Sequence, residues 1–493
     1  MSNQVTLTIN NQAITVPAGS TIMEAAQKLG VTVPHFCWHP GLSIAGVCRF
    51  CMVRVEGMPK LQIACNTPAS EGMKVDTVSD DVKDAHKWAL EFHLINHPLD
   101  CPICDQAGEC ELQNYYMKVG KYQSQMEDEK VLKPKALDVG DTLVLDTERC
   151  ILCSRCVRFE DEVTKTSTLG IFNRGDQATI GTYKDKKIKH NYSYNLADIC
   201  PVGAFTAKDF RFKCRVWFLK ETTTVCPGCS TGCNVNLFQN RNQREYYRLK
   251  PKHNPDVNGY WMCDTGRTMY EHLNASARIA SPLLSAEQVS YSAALKALGD
   301  EVQSVSADKL AVVFTAQYTN EEYTAVLQAL KKLTGGMPKV FVWRDESEKE
   351  DEFDGILMRG DRNPNTRGMN DVLKAEGVKP AILKSDYSSL ASSGAELTLV
   401  FGPEVESAYP NMAKALSRLA EMKKAVYFGN TLQEPAQKMW LRMPVKVFSE
   451  KSGTFVNFNG VAQKLKANAP VFPAVKCVSE YFGQLSSSAQ SNV

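Results

Sequence analysis

Sixteen side chains in this chain have the chemical types and spacings that bind iron–sulfur clusters. Fifteen of the seventeen cysteines and one histidine fall into four groups of four. The groups are Cys37, Cys48, Cys51 and Cys65; His97, Cys101, Cys104 and Cys110; Cys150, Cys153, Cys156 and Cys200; and Cys226, Cys229, Cys233 and Cys263. Such sets hold [2Fe–2S] or [4Fe–4S] clusters. The sequence therefore predicts an electron carrier that binds iron through these sixteen residues.

The first group follows a segment with the pattern of a small β-grasp domain, which we place at residues 1–80. Apolar residues alternate from Val5 to Ile9 as in a strand, and Thr21 with Glu24 forms a capping box before a helix. The cysteines follow as C-x10-C-x2-C-x13-C, whereas plant-type ferredoxins begin with C-x4-C-x2-C. We therefore expect a [2Fe–2S] cluster in a ferredoxin-type domain that is not of the plant type.

The second group has the pattern H-x3-C-x2-C-x5-C and lies in a segment that we place at residues 81–120. A helix is expected over residues 79–96, capped by Ser79. The apolar face expected for it comprises Trp88, Phe92 and Ile95. Three cysteines lack a fourth ligand, and His97 is predicted to supply it, with His93 as the competing candidate. A histidine ligand removes a negative charge from the cluster environment, so we expect a [4Fe–4S] cluster of raised potential.

The third group begins with CILCSRC and ends at Cys200-Pro201, in a segment that we place at residues 121–215. Bacterial two-cluster ferredoxins carry two C-x2-C-x2-C-x3-CP runs. Only one such run, with a remote Cys-Pro, occurs in this chain. The pattern therefore predicts one [4Fe–4S] cluster in a ferredoxin-like domain.

The fourth group, C-x2-C-x3-C-x29-C, lies in a segment placed at residues 219–275. Short strands are expected on either side of its first cysteines, at 216–219 and 235–237. The spacing predicts a further [4Fe–4S] cluster. Cys214 and Cys477 fall outside all four groups and are expected to be packed core thiols.

The remaining segment, residues 276–493, has an α/β pattern with a mostly parallel sheet. Strands are expected at 310–314, 340–342, 397–401 and 425–428, and Thr319 with Glu322 forms a second capping box. No G-x-G-x-x-G or P-loop motif follows a strand, which gives nucleotide binding no support. The tail GQLSSSAQSNV is expected to be disordered.

The overall composition excludes several classes of function. A formal net charge of +2 gives no electrostatic basis for nucleic-acid binding. The polar N-terminal residues lack a signal-peptide pattern, and no apolar run approaches the ~20 residues of a membrane helix. Closely spaced cysteines in a large chain without an export signal argue against a disulfide framework. Structural zinc is the alternative to iron, but three close ligands with one remote ligand are typical of a cluster.

The order and spacing of the four groups resemble the largest peripheral-arm subunit of bacterial respiratory NADH:quinone oxidoreductase, or complex I. The stretches that carry this resemblance are CWHPGLSIAGVCRFCMVRVEG, HPLDCPICDQAGECELQ, and ERCILCSRCVRFEDE with Cys200-Pro201. In addition, VCPGCSTGCNVNL and YWMCDTGR resemble the cluster-binding start of molybdopterin oxidoreductases. The likeness continues through DRNPNTRGM and EKSGTFVNFNG, and so covers nearly the whole chain.

This resemblance implies an electron-relay role in which the first group receives electrons from a flavin subunit. The third group comes next, and the His97 cluster then serves a ferredoxin-like partner on the way to quinone. The implied partners are a flavin- and NADH-binding subunit, a small [2Fe–2S] subunit, a ferredoxin-like two-cluster subunit and quinone-module subunits. FMN, NADH and quinone would bind to those partners. We accordingly expect no independent catalytic site in this chain, and membrane association only through partner subunits.

The resemblance also implies that the fourth cluster lies off the main electron path. The 230 residues after Cys263 are fewer than the large cofactor-binding domains of molybdopterin enzymes need. We therefore expect no molybdopterin, and a shortened domain that acts as scaffold. The predicted fold class is multidomain α+β and α/β. It comprises a β-grasp [2Fe–2S] domain, a cluster segment with one histidine and three cysteine ligands, a ferredoxin-like [4Fe–4S] domain and a shortened molybdopterin-oxidoreductase-like α/β domain at 276–493.

Three other functions compete with this interpretation. A diaphorase-type subunit of a soluble NAD-linked hydrogenase or formate dehydrogenase shares the first three groups. An iron-only hydrogenase is excluded because Cys477 is the only cysteine after Cys263. A zinc scaffold protein would be colourless, whereas an iron–sulfur protein is brown. The lack of an Arg-rich leader favours the cytoplasmic face of the bacterial inner membrane.

Overall fold

A computed structural model describes residues 4–121, 123–274, 276 and 278–488 of the chain. The chain divides into two compact units, residues 1–217 and 218–493. The first three groups of candidate ligands belong to the first unit, and the fourth group belongs to the second unit.

The start of the first unit is a five-stranded sheet with one helix. Its elements are β1 (Gln4–Ile9), β2 (Gln12–Pro17), α1 (Ile22–Lys28), β3 (Met52–Val55), β4 (Gln62–Ile63) and β5 (Lys74–Asp76). The strand order is β2-β1-β5-β3-β4, with β1 parallel to β5 and antiparallel to β2. The capping box is confirmed, because the side chains and backbone nitrogens of Thr21 and Glu24 form reciprocal hydrogen bonds. This arrangement is the predicted β-grasp fold.

The rest of the first unit is built from short elements around the second and third groups. They are α2 (Asp80–Leu94), α3 (Glu111–Val119), β6 (Leu137–Asp138), β7 (Leu143–Leu145), α4 (Arg155–Phe159), β8 (Leu169–Phe172), β9 (Thr179–Thr182), α5 (Tyr194–Ile199) and β10 (Phe205–Ala207). One turn of π-helix, Glu160–Thr164, extends α4. Strands β10, β7 and β6 form one small sheet, and β8 pairs with β9.

The predicted helix before His97 is present as α2, but the expectation about its apolar face is wrong. Trp88, Phe92 and Ile95 are all exposed. The buried side is formed by Val82, His86 and Leu90. The polar His86 side chain can lie on this buried side because its Nε2 atom hydrogen-bonds to the Met52 carbonyl oxygen at 2.9 Å. The expected Ser79 side-chain cap is also absent at this helix start.

The second unit begins with an antiparallel sheet and continues into an eight-stranded sheet. Its strands are β11 (Leu219–Val225), β12 (Asn234–Asn240), β13 (Tyr246–Pro251), β14 (Leu283–Leu284), β15 (Glu287–Gln288), β16 (Leu310–Phe314), β17 (Lys339–Trp343), β18 (Ala381–Leu383), β19 (Leu397–Phe401), β20 (Ala425–Phe428), β21 (Leu441–Met443), β22 (Gly453–Val456) and β23 (Ala462–Leu465). Its helices are α6 (Asp264–Arg267), α7 (Tyr291–Ser304), α8 (Asn320–Thr334), α9 (Thr366–Ala375), α10 (Ser388–Ala391), α11 (Met412–Ala420), α12 (Glu434–Gln437) and α13 (Val478–Ser488).

The large sheet has the order β15-β14-β21-β20-β19-β16-β17-β18, and its six strands from β21 to β18 are parallel. The four strands predicted in this segment are confirmed. Every residue of β16 and of β19 is buried, as expected for parallel strands covered on both faces. Alternate residues of β16 belong to different cores, with Ala311 and Val313 in one and Val312 and Phe314 in the other. This doubly covered sheet is the predicted α/β domain.

Three local expectations in and near the second unit need correction. The segment Val216–Phe218 is a 3-10 turn, and β11 begins only at Leu219. The last helix, α13, includes the first six residues of the tail that was expected to be disordered, and the residues after 488 lie outside the described part of the chain. Cys214 and Cys477 are only partly buried, so neither is a core thiol.

Over the described residues, every helix is too short or too polar to cross a bilayer.

Candidate iron–sulfur centres

The third group of cysteines surrounds one cavity in the first unit. Cys150 and Cys153 lie on the loop that enters α4, Cys156 lies in the first turn of α4, and Cys200 directly follows α5. The cavity is otherwise lined mainly by apolar side chains. These include Ile151, Ile180, Val202, Ala204 and Phe205. The loop and the helix end thus bring together four sulfur atoms that are up to 50 residues apart in sequence.

Burial makes these thiols poor acids on their own. It raises the pKa of Cys153 to about 11, and it raises the pKa values of Cys150, Cys156 and Cys200 as well. An apolar cavity disfavours the charged thiolate unless a positive charge compensates it. Iron ions supply such a charge, so the donor set and its surroundings fit a bound cluster.

The second group surrounds another cavity in the same unit. His97, Cys101, Cys104 and Cys110 all line it, together with Arg149. Cys101 is exposed, whereas Cys104 and Cys110 are buried. The structure therefore brings together the four residues of this group and leaves one edge accessible.

The His97 ring is prepared to act as a neutral ligand. Burial, helped by the charges of Arg149 and Lys130, lowers the pKa of His97 to about 4. Its Nδ1 atom is buried and has no hydrogen-bond partner within the described residues. Neutral imidazole with a free ring nitrogen is the form that binds a metal. This orphaned atom beside three cysteines fits the predicted cluster.

The competing candidate, His93, is placed elsewhere. Its Nδ1 atom is 2.6 Å from the Ala89 carbonyl oxygen, one turn earlier in α2. The ring packs against Phe36 with a centroid distance of 4.9 Å, and it is not part of the cavity lining. The hydrogen bond within α2 and the packing against Phe36 account for the position of His93, which therefore has a structural role.

The first group lies in the loop between α1 and β3 and just after β4. All four cysteines are buried and form two hydrogen-bonded pairs, Cys37 with Cys48 and Cys51 with Cys65. The hydrogen bond from the Cys48 thiol lowers the pKa of Cys37 to about 5, and the pKa of Cys48 is raised correspondingly. Two adjacent pairs of sulfur atoms fit a rhombic [2Fe–2S] cluster, which needs two ligands for each iron.

The fourth group surrounds a cavity in the second unit. Cys226, Cys229 and Cys233 lie in the turn between β11 and β12, and Cys263 is the residue before α6. The turn is closed by a 2.8 Å hydrogen bond from the Cys226 nitrogen to the Cys233 carbonyl oxygen. At Gly266, a Cβ atom would lie only 3.0 Å from the Cys226 sulfur, so the helix backbone approaches the site closely. Arg362 and Met269 also line this cavity.

The spacing of these ligands suits clusters better than single ions. Within the described residues, no three His, Cys, Asp or Glu side chains converge closely enough to hold one metal ion. Instead, three of the groups each surround a cavity of similar size. A polynuclear cluster separates its protein ligands by its own width, whereas a zinc ion draws four ligands to within ~2.3 Å of one point. Ligands placed around a cavity, and not at one point, fit a bound cluster.

The second and third cavities share a wall. Val202 and Ala204 line the third cavity, and Gly203 between them lines the second. A Cβ atom at Gly203 would overlap the Cys104 sulfur, which explains why this position is glycine. Sequence spacing predicted the candidate ligands but gave no role to Gly203, Arg149 or Arg155, although each lies within three residues of a cysteine of the third group. The nearest sequence signals were the Cys200-Pro201 motif and the arginine within CILCSRC.

Comparison with known families agrees with this sequence of sites. Four family models match in order: the 2Fe-2S iron-sulfur cluster binding domain at residues 2–80, the NADH-ubiquinone oxidoreductase-G iron-sulfur binding region at 87–125, the ferredoxin-like domain of NADH-quinone oxidoreductase subunit 3 at 140–206, and the molybdopterin oxidoreductase Fe4S4 domain at 219–275. Each candidate centre therefore lies within or at the edge of a segment that matches an iron–sulfur family.

A solved structure also matches this chain. It is a chain of an NAD+-reducing [NiFe]-hydrogenase in the H2-reduced state, at 29% identity and a TM-score of 0.39, and the match covers 43% of this chain and 91% of that one.

Individual relatives are named as subunits of NADH-quinone or NADH-ubiquinone oxidoreductase. The G subunit of NADH-quinone oxidoreductase from Rickettsia felis is 35% identical over 334 residues, which are 67% of this chain and 49% of that protein. The Streptomyces coelicolor G subunit is 38% identical over 57% of this chain and 33% of its own length. The mitochondrial 78 kDa subunit of NADH-ubiquinone oxidoreductase from Candida albicans is 38% identical over 57% of this chain and 39% of its own length. The chain thus matches less than half the length of these relatives, and over the matched residues it is similar to the G subunit of NADH-quinone oxidoreductase.

Proposed function

We propose that this chain is an electron-relay subunit of an NADH:quinone oxidoreductase of the complex I type. In this proposal, one [2Fe–2S] cluster binds to the first group and one [4Fe–4S] cluster binds to each of the other three groups. Each cluster, when bound, supplies a one-electron redox centre. The protein holds, spaces and shields these centres, and the chain carries no independent catalytic site.

The observation that carries this proposal is the shared wall between the second and third sites. Val202 and Ala204 line the third cavity and Gly203 between them lines the second, so the two centres would be separated by little more than one strand of backbone. The wall is anchored by a 3.0 Å hydrogen bond from the Glu111 nitrogen to the Pro201 carbonyl oxygen. A protein that stores metals, or that uses them only for folding, does not need two metal sites this close together. Electron transfer from one cluster to the next does need a short distance between them.

The first and third groups are also joined by direct contacts. Arg158, two residues after Cys156, donates hydrogen bonds to the Cys37 and Ser43 carbonyl oxygens. The Ser43 nitrogen in turn donates to the Glu162 carboxylate at 2.8 Å. These contacts support the order first, third and then second site, with Cys101 at the exposed end of the series.

We further propose that the second unit serves as scaffold and binds no molybdopterin. Ligands of doubly wound folds bind at the carboxyl edge of the sheet, where the strand order reverses, which here is between β16 and β19. That crevice is filled by protein. The Tyr318 hydroxyl donates to the Gly402 carbonyl oxygen at 2.8 Å, and the buried Lys451 ammonium lies between the carboxylates of Glu322 and Glu404. The fourth cluster would then lie off the main electron path.

The proposed partners are a flavin- and NADH-binding subunit, a small [2Fe–2S] subunit, a ferredoxin-like two-cluster subunit and the quinone-module subunits. The chain would reach the cytoplasmic face of the bacterial inner membrane through them. The alternative is an iron–sulfur subunit of a soluble NAD-linked hydrogenase or formate dehydrogenase. Both assignments place the same clusters in this chain, so they differ in the partners and not in the sites.

The deciding experiment is isolation of the native complex in mild detergent without oxygen. We expect ~14 iron atoms per chain, which corresponds to the proposed clusters, and no stoichiometric molybdenum. Mass spectrometry should identify a flavin subunit and polytopic membrane proteins in the same complex. A soluble complex with a hydrogenase or formate dehydrogenase subunit would establish the alternative. A colourless, zinc-containing chain would contradict both.

A further inference from the structure

Arg155 makes contacts with all three cluster-bearing segments of the first unit. It lies between Cys153 and Cys156, and only 4% of its surface is exposed. Its Nη2 atom donates to the Trp38 carbonyl oxygen at 2.8 Å, and its Nη1 atom donates to the Ile199 carbonyl oxygen at 3.0 Å. The same Nη1 atom is 3.5 Å from the Glu111 carboxylate.

Each of these contacts is one residue away from a candidate ligand. Trp38 follows Cys37 of the first group, and Glu111 follows Cys110 of the second group. Ile199 precedes Cys200 of the third group. One buried guanidinium therefore links the backbone or side chains next to ligands of all three groups. No shorter side chain with a single donor could form this set of contacts, because they need the two terminal nitrogens of the fork.

A further donor of Arg155 is unused. Its Nε atom is buried and has no hydrogen-bond partner within the described residues. The side chain contributes to the lining of the third cavity. A buried charged donor without a partner is strongly unfavourable, so such an atom needs an acceptor. Thiolate and sulfide sulfur atoms of a cluster in this cavity are acceptors of that kind.

The charge at this position also differs from that beside the second cavity. Arg149 lines the second cavity, but Asp100 at 2.9 Å and Asp146 at 3.4 Å neutralise its charge. Among the described residues, Arg155 pairs with a single carboxylate, and the side chain of that partner, Glu111, is 40% exposed. The third cavity thus has a buried positive charge with little compensation, which favours the more negative, reduced state of a cluster.

We propose that Arg155 is a positioning residue that fixes the first, second and third centres relative to one another and raises the reduction potential of the third by donating from Nε to its cluster. This inference rests on the proposed function, since it assumes clusters at these sites. It adds a residue that binds no iron but sets both the spacing and the potential of the relay.

The test uses the full chain within its complex, purified without oxygen, and compares Arg155→Gln, Arg155→Lys and wild type. Redox titration followed by EPR spectroscopy gives the midpoint potential of each cluster. Magnetic coupling between the reduced first and third clusters reports the distance between them. Arg54→Gln is the matched control, because the pair of Arg54 with Asp81 lies at the surface of the first domain.

In Arg155→Gln we expect the third potential to shift to a more negative value and the coupling to the first cluster to become weaker or heterogeneous. In Arg155→Lys the charge remains, so the potential should shift less, but one ammonium cannot replace the fork and the coupling should still change. Arg54→Gln should match wild type in both measurements.

The iron content separates the possible failures. If wild type lacks the third [4Fe–4S] cluster, the proposed function itself fails. If wild type holds it and both Arg155 variants keep normal potentials and coupling, only the role of Arg155 is wrong. If Arg155→Gln does not assemble, Arg155→Lys decides: altered coupling supports the proposal, and wild-type coupling with a wild-type potential overturns it.

Discussion

The backbone nitrogen of Glu111 donates a hydrogen bond to the carbonyl oxygen of Pro201 at 3.0 Å. Glu111 follows the last ligand of the second group, and Pro201 follows the last ligand of the third. The hydrogen bond therefore joins the ends of two separate ligand sets. A displacement of the backbone in the loop after Cys200 should therefore shift residues next to both the second and the third centre.

Gly203→Ala tests this coupling at its tightest point. The new Cβ atom would overlap the Cys104 sulfur, so that this sulfur or the backbone at residue 203 would have to shift. We expect loss or strong perturbation of the second cluster, seen as a lower iron content and a missing [4Fe–4S] EPR signal. The third cluster should change less, because its lining residues Val202 and Ala204 keep their side chains.

Gly170→Ala is the matched control for that substitution, since a Cβ atom there makes only ordinary contacts of 3.5 Å with Phe172. It should leave all cluster signals in place. Full occupancy of the second site in Gly203→Ala would mean that the wall is more adaptable than the structure indicates.

Much of the site could be predicted from the sequence, because cluster ligands occur at characteristic local spacings. The spacing around CILCSRC predicted three candidate ligands and the Cys-Pro motif predicted the fourth, and the structure places these four cysteines around one cavity. Arg155 could not be assigned a role in the same way. Its partners lie next to Cys37 and Cys110, and only the folded chain brings those segments together.

The error in α2 has a related cause. Trp88 and Phe92 share a helical stripe, and helical periodicity shows that such a stripe exists but not whether the protein covers it. In the structure the opposite side is buried, because Val82 and Leu90 flank a histidine whose ring nitrogen finds a carbonyl partner. By contrast, fully apolar runs such as 310–314 and 397–401 predicted their strands correctly. A run that is apolar on both faces has no exposed side to misassign.

His97→Ala should remove or shift one [4Fe–4S] EPR signal and block electron flow past the second site. The reason is that alanine leaves three cysteines to hold four irons. His97→Cys should restore the cluster but lower its potential, because a thiolate adds the negative charge that imidazole lacks. His93→Ala is the control and should keep the signal, since the His93 ring bonds within α2 and packs on Phe36. An unchanged spectrum in His97→Ala would assign the ligand elsewhere.

Cys229→Ser tests whether the fourth cluster conducts. If that cluster is structural, the substitution should reduce the yield of assembled complex while leaving NADH oxidation per assembled complex close to wild type. Cys214→Ser is the control, because this partly exposed thiol does not line the fourth cavity. Normal assembly with slow turnover would place the fourth cluster on the electron path.

Glu348 should make the second unit less stable at alkaline pH. Burial raises the pKa of Glu348 to about 7, although Arg344 at 3.1 Å opposes the shift. Because an unfolded glutamate titrates near ~4.3, the folded state holds an extra proton between the two pKa values. The resulting stabilisation is complete below the unfolded pKa and is lost as the pH rises through about 7.

Glu348→Gln removes that titration. The free energy of unfolding of the full chain is measured by thermal unfolding at pH 5 and at pH 8. Its change between these two pH values should be ~1–3 kcal/mol smaller in Glu348→Gln than in wild type. Glu350→Gln is the control, since the Glu350 side chain is half exposed and should leave the pH dependence intact. Equal pH dependence in Glu348→Gln and wild type would show that another group dominates.

Substitution of the buried Lys451 should destabilise the second unit far more than substitution of an exposed lysine. Its ammonium is buried, lies 2.6 Å from the Glu322 carboxylate and also contacts Glu404. Lys451→Met leaves these two carboxylates buried without a counter-charge, which should destabilise the unit by ~3–5 kcal/mol. Hydrogen exchange of the α8 amides would measure the change, because Glu322 lies in the first turn of that helix.

Adding Glu404→Gln to Lys451→Met should recover part of the lost stability, since one of the two unpaired buried charges is then removed. Lys296→Met, at an exposed pair with Asp300, should cost less than ~0.5 kcal/mol. Equal exchange rates in Lys451→Met and Lys296→Met would mean that water reaches the crevice between β16 and β19, and the basis for excluding a cofactor there would fail.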